Sequence, residues 1–188
     1  MINWGNFSGF FTTGIPSVVL YPSLIVTIIL IVAGLFCGKV RNKVRYALII
    51  LLIEYLFVVI CSTIVCRGVQ SFEFARLELK PFWTYKAVIE RVPGVSVWDI
   101  VLNVVLFVPL SFLIKLIFPA ISLGKILIIA VCCSLFIETN QYVLEKGIAQ
   151  IDDVMHNTIG ATIGWILAKA LFGKYNGNYK HDHTRENI

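Results

Sequence analysis

The chain has 188 residues, of which 58% are hydrophobic and only 14% charged. Soluble proteins carry roughly 45–50% and 25%. Runs of about 20 apolar residues recur, so the sequence reads as an all-α, polytopic membrane helix bundle. The net charge of +5 is not a nucleic-acid signal, because the basic residues are sorted by loop as membrane orientation requires; no nucleic-acid partner is expected. The five cysteines are odd in number and match no zinc spacing, which makes them packing residues. No Lys or Arg precedes the first apolar run and no A-x-A site follows it, so a cleaved signal peptide is not expected.

In chain order, residues 1–16 interleave Trp4, Phe7, Phe10 and Phe11 with glycines, a composition suited to the headgroup level. The first span is expected over 17–37 and runs into Lys39, Arg41, Lys43 and Arg45, a short basic loop that should stay cytoplasmic. A second span, 46–66, carries Glu54 near its middle. It is read as a structural polar contact, within its bundle or with Lys115, rather than as a proton relay, since no second mid-depth acid accompanies it. Residues 67–97 form the longest polar stretch, with Phe72, Phe74, Phe82, Trp83 and Tyr85 among basic and acidic residues. It reads as an interfacial piece on the outer leaflet whose basic groups reach lipid phosphates; a positively flanked aromatic belt is the simpler alternative.

Ser96 and Asp99 have the spacing of a capping box for a third span over 98–118. That gives Asp99 a structural task. Asn103 lies one turn inside this span, and Pro109 should kink it and free a carbonyl. A fourth span is expected over 123–144 and a fifth over 153–171, so that one membrane domain fills 1–172. The polar segment 173–188 follows as a mobile cytoplasmic tail. With the first basic loop inside, ten of the sixteen basic residues fall on the cytoplasmic side, which orients the chain N-out and C-in.

This orientation brings the polar residues to one depth. Asn103 is near the outer start of the third span. Glu138 and Gln141 are near the outer end of the fourth, Glu138 about 9 Å below it at 1.5 Å per residue. Asp152, Asp153, His156 and Asn157 open the fifth. Polar and ionisable groups at membrane depth are costly and are therefore site candidates. Glu138 and Gln141, at i and i+3, share a face. Asp153, Asn157, Gly160 and Gly164 form one stripe, and the G-x-x-x-G of Gly160 and Gly164 lets another backbone approach closely. The stripe should pack on the third or fourth span and hold Asp153 and Asn157 beside Glu138. His156 flanks the stripe and is read as interfacial, a weak metal-ligand candidate; no metal or other cofactor is expected.

Three ordered segments carry a resemblance. They are Asn103 to Leu110 (NVVLFVPL), Glu138-x-x-Gln141, and Asp152-Asp153-x-x-x-Asn157-Thr158-x-Gly160-Ala161-x-x-Gly164. With them the chain resembles the VanZ-like family of small membrane proteins. A weaker match is Leu79-Lys80-Pro81-Phe82-Trp83, similar to the family's N-L-x-P-F segment with Glu78 where Asn is usual. Together these cover about residues 77–171; the first two spans show no matching motif. Many members place an Arg six residues before the second acid of the pair, where this chain has Gly147 with Lys146 adjacent. The resemblance implies a place in the bacterial cytoplasmic membrane, a role in resistance to lipoglycopeptide antibiotics such as teicoplanin, and an outer-face site. It brings no catalytic activity with it.

Two functional classes follow. In the first, a non-enzymatic envelope protein uses Asn103, Glu138, Gln141, Asp152, Asp153 and Asn157 to bind a membrane lipid, a lipid-linked cell-wall intermediate or a lipoglycopeptide. In the second, an intramembrane enzyme acts on a lipid or lipid-linked substrate, with Glu138 or Asp153 as general base or as metal ligands. Binding is preferred. A third reading, in which these groups only hydrogen-bond helices together at about 0.6 kcal/mol each, fits less well with so many on one side. No H-E-x-x-H or G-x-S-x-G motif occurs.

Overall fold

A computed structural model describes residues 16–37, 42–67, 77–92 and 95–182, with side chains through 172. The aromatic residues 1–15, the basic pair Lys39 and Arg41, the stretch 68–76 and the side chains of the polar tail lie outside it.

Local chemistry satisfies unpaired amides at the start of the helices that open at Lys43 and Val97, and a proline leads into the one that opens at Ser17. Helix α1 (Ser17–Phe36) starts after Pro16, whose fixed φ suits the approach to a helix. Asn42 accepts from the Arg45 amide to open α2 (Lys43–Ile60), which continues as one π turn, Cys61–Val65. After β1 (Leu77–Glu78) and the short α3 (Trp83–Ile89), the capping box of Ser96 and Asp99 opens α4 (Val97–Ile117), with the Ser96 amide donating to Asp99 Oδ2 over 2.7 Å. Helix α5 (Leu123–Val143) leads through a tight turn to β2 (Ala149–Gln150) and then α6 (Ile151–Asp182). The two strands pair in parallel, Leu77 with Ala149 and Glu78 with Gln150.

Helices α1, α2 with its π turn, α4 and α5 are long and apolar enough to cross a membrane. Helix α6 is longer still, but Asp152, Asp153, His156 and Asn157 in its first two turns and Lys169 further on dilute its hydropathy. It runs on as one helix to Asp182 rather than ending near residue 171; no proline interrupts it. Outward faces carry Val18, Ile25, Ile28, Ile29, Phe36, Ile53, Ile128 and Phe136, all exposed. A contiguous apolar exterior of this kind is disfavoured in water and suited to hydrocarbon.

The centre of the bundle is α4, packed between α2, α5 and α6 through Leu106, Phe107, Leu110, Ile114, Val59, Ile126, Ala130 and Ala161. Its tightest contact is with α6. A Cβ on Gly160 would stand 2.0 Å from the Val104 carbonyl oxygen, and one on Gly164 2.1 Å from that of Val108. The small-residue stripe therefore selects α4, the third span, as the helix it lies against. Helix α4 passes through Pro109 without a break, and the Tyr55 hydroxyl of α2 donates to the Leu106 carbonyl one turn before it.

Glu54 faces α1, where its two oxygens accept from Ser23 (2.8 Å) and Thr27 (3.0 Å). Lys115 is turned to the Pro119 and Ile121 carbonyls instead of to Glu54. At the same end of the bundle Lys115 and Lys169 flank the Trp165 ring, and Arg45 lies over Phe118.

Candidate functional site

At the opposite end, the segment from Leu77 to Ile89 is not a free loop but a docked cap. Pro81 precedes Phe82, which takes a left-handed φ of 65° and carries no capping side chain. The missing cap comes from another helix. Asp152, 1% exposed, accepts from the Phe82 amide (2.6 Å) and the Thr84 amide (2.8 Å). Charged acceptors make the stronger backbone hydrogen bonds, and removing this one would leave two buried donors at about 1–3 kcal/mol. Thr84 also donates to the Gln150 side chain, beside the strand pairing. Glu78 accepts from the Lys80 amide two residues on, the bond an Asn makes in an Asx turn. The departure from Asn at this position thus keeps the turn.

Beneath the cap the acids and amides separate. Glu138, buried near the end of α5, accepts from the Gln150 amide at 3.0 Å and lies close enough to Asp153 and Arg67 to feel their charges. Gln141 does not join it. Its Nε2 donates to the Thr63 carbonyl in the π turn of α2, 3.2 Å away. Asn157 donates to Ser134 Oγ on α5 over 2.7 Å. Asp99, besides capping α4, is within electrostatic reach of Asp153 and Arg67. The side chain of Asn103, on the third span and half-buried, makes no hydrogen bond among the described residues. Gly160 and Gly164 set the α4–α6 approach that fixes the rotation of Asp153 and Asn157.

His156 is buried under the cap. It is 1% exposed, and its Nε2 lies 2.8 Å from the hydroxyl of Tyr85 in the cap, the two rings edge to face at 5.5 Å. On its other side Nδ1 is 3.8 Å from Asp153 Oδ1, beyond hydrogen-bond reach. Asp153 Oδ1, His156 Nδ1 and Asn157 Oδ1 are all buried with no hydrogen-bond partner among the described residues. Such atoms usually mark a missing ligand, water or ion.

The position where the family resemblance calls for Arg is also resolved. Lys146 does not substitute, because its ammonium donates to the Ile64 and Val65 carbonyls (2.7 and 2.9 Å) and closes the π turn. A Cβ on Gly147 would stand 2.9 Å from Gln141 Oε1 and 3.5 Å from the Arg67 guanidinium carbon. The space is therefore occupied by a guanidinium that arrives from the end of the second span. Thr84 and Ser134 had no signal in the sequence, and Arg67 and Tyr85 only that of a basic, aromatic interfacial segment. Each gains its role from a partner far along the chain.

A family model described as VanZ/LLP1 matches residues 46–172, more than half of the chain, and reaches back through the second span, beyond the motifs legible by eye. No curated protein and no solved structure matches the chain. The α4 and α6 motifs, the docked cap and the buried acids between them are thus found in a membrane protein that belongs to the VanZ/LLP1 family.

Proposed function

We propose that the protein is a multi-pass protein of the bacterial cytoplasmic membrane, with α6 as a fifth span and the termini N-out and C-in. Its outer-face site binds the polar head of a lipid-linked envelope molecule, and through that binding it contributes to resistance against lipoglycopeptides of the teicoplanin type. The single observation that carries this reading is the group of unpartnered buried atoms on Asp153, His156 and Asn157, at the end of the bundle covered by the aromatic cap. Acceptor-rich walls suit a ligand that brings hydroxyls, ammonium groups or cations. The exposed cap residues Leu79, Phe82 and Ile89 offer apolar surface for its acyl chain or for the leaflet itself.

Expression in a susceptible Gram-positive host tests the reading. Resistance to an acylated glycopeptide should rise several-fold, with little change for an unacylated one, and the rise should vanish in Glu138→Gln and Asp153→Asn at equal protein levels. Glu138→Gln retains an oxygen for the Gln150 amide and so separates charge from packing. Equal susceptibility with and without the wild-type protein would sink the resistance role.

Catalysis is the second reading, favoured by the contact between Tyr85 and buried His156, which places an ionisable pair at the boundary of the site. Turnover of a lipid-linked substrate by purified protein, lost in Glu138→Gln, would decide for it.

A further inference from the structure

We infer that Asp153, His156 and Asn157 form a binding site for a first-row divalent cation of the Mn2+ or Zn2+ class. Three independent features converge on it. The first is donor type: the unpartnered atoms are a carboxylate oxygen, an imidazole nitrogen and an amide oxygen, a mixed O/N set that such ions accept and that an ammonium group would not fully satisfy. The second is spacing. Two donors about 2.1 Å from one tetrahedral ion stand about 3.4 Å apart, and Asp153 Oδ1 and His156 Nδ1, separated by 3.8 Å, need to close by only a few tenths of an ångström to share one. Asn157, one turn beyond Asp153, is held by its amide nitrogen on Ser134, leaving its oxygen free.

The third feature is charge. Asp153 lies near Glu138 and Asp99, and among the described residues the Arg67 guanidinium also faces those two. Lys146 is turned to backbone carbonyls. Carboxylates gathered away from water are stabilised by a cation placed among them. Ligation through Nδ1 also fixes the other ring nitrogen as N–H. His156 then donates to the Tyr85 hydroxyl at 2.8 Å, the kind of outer partner that orients metal-binding imidazoles.

Among the described residues no three His, Cys, Asp or Glu side chains meet at one point. The amide is therefore needed, and the remaining positions are left to solvent or to an oxygen of the bound head group. Such an open shell distinguishes a working ion from a structural one. The inference does not depend on the identity of that head group.

The test uses the full chain in nanodiscs, loaded with Mn2+ or Zn2+ and desalted, with no lipid-linked ligand added. About one ion per chain is expected, and the Mn2+ form should show electron-spin-echo modulation from a coordinated imidazole nitrogen. His156→Gln should abolish the nitrogen signal, Asp153→Asn should weaken binding at least tenfold, and Tyr85→Phe should weaken it about tenfold. Glu54→Gln, at the α1–α2 contact, should keep the ion. Metal-free melting curves of each variant establish that the fold survives. Absence of stoichiometric binding at millimolar ion would overturn the inference. So would equal binding by the wild type, His156→Gln and Asp153→Asn, or loss of the ion in Glu54→Gln as well.

Discussion

Asp152 and Asp153 are neighbours in sequence, yet they do different work because successive helical residues point about 100° apart. Asp152 turns to the amides of Phe82 and Thr84, and Asp153 turns inward toward Glu138 and His156. The two substitutions should therefore separate. Asp152→Ala should cost about 2 kcal/mol in cap stability and raise amide exchange at Phe82 and Thr84, whereas Asp153→Asn should leave that exchange unchanged. Parallel changes in both variants would mean that the acids act as one unit. This division was not legible in the sequence, which shows an acid pair but not the rotation of the helix that carries it. The burial of His156 was hidden for the same reason. Whether it meets water or a tyrosine depends on a segment more than sixty residues earlier folding over it.

At the scale of elements, the close approach of α4 and α6 has the sharpest sequence signature and the least slack. Gly160 and Gly164 meet backbone carbonyls rather than side-chain tips, so a methyl group cannot be absorbed by a rotamer change. Gly160→Ala would gain helix propensity of up to about 1 kcal/mol. It should nevertheless destabilise by about 1–3 kcal/mol net, read as a lower melting temperature in detergent; an unchanged or higher melting temperature would refute the packing argument. Gly124, with nothing within 4 Å of its would-be Cβ, serves as the tolerant comparison. The helical bundle itself was legible because hydrocarbon admits few alternatives to apolar helices. The partner of the glycine stripe was left open between two helices until the carbonyls of Val104 and Val108 settled it. The strand pairing had no signature at all, since two residues on each side are too few for any periodicity.

For the whole molecule, charge and packing agree on two unlike ends. Arg45, Lys115 and Lys169 gather with Phe118 and Trp165 at one end, and the cap with its acids occupies the other. The proposed N-out, C-in orientation makes a direct prediction. A phosphatase reporter fused after Ile188 should be inactive and a fluorescent one bright, and the reverse pattern at a fusion within 68–76. An active phosphatase at the C-terminus would mean that α6 does not cross the membrane, and the site would then need a different address.

The parallel pairing of Leu77 with Ala149, together with the grip of Asp152 on the cap, also sets a timetable. Both anchors of the cap are made after the first four apolar helices have left the ribosome, so the cap waits for the last helix to arrive. A chain stopped before Ala149 would deliver four insertable helices and an unanchored outer segment. A complete site thus reports that synthesis has passed Asn157, and it is withheld from every product that stops short of that residue.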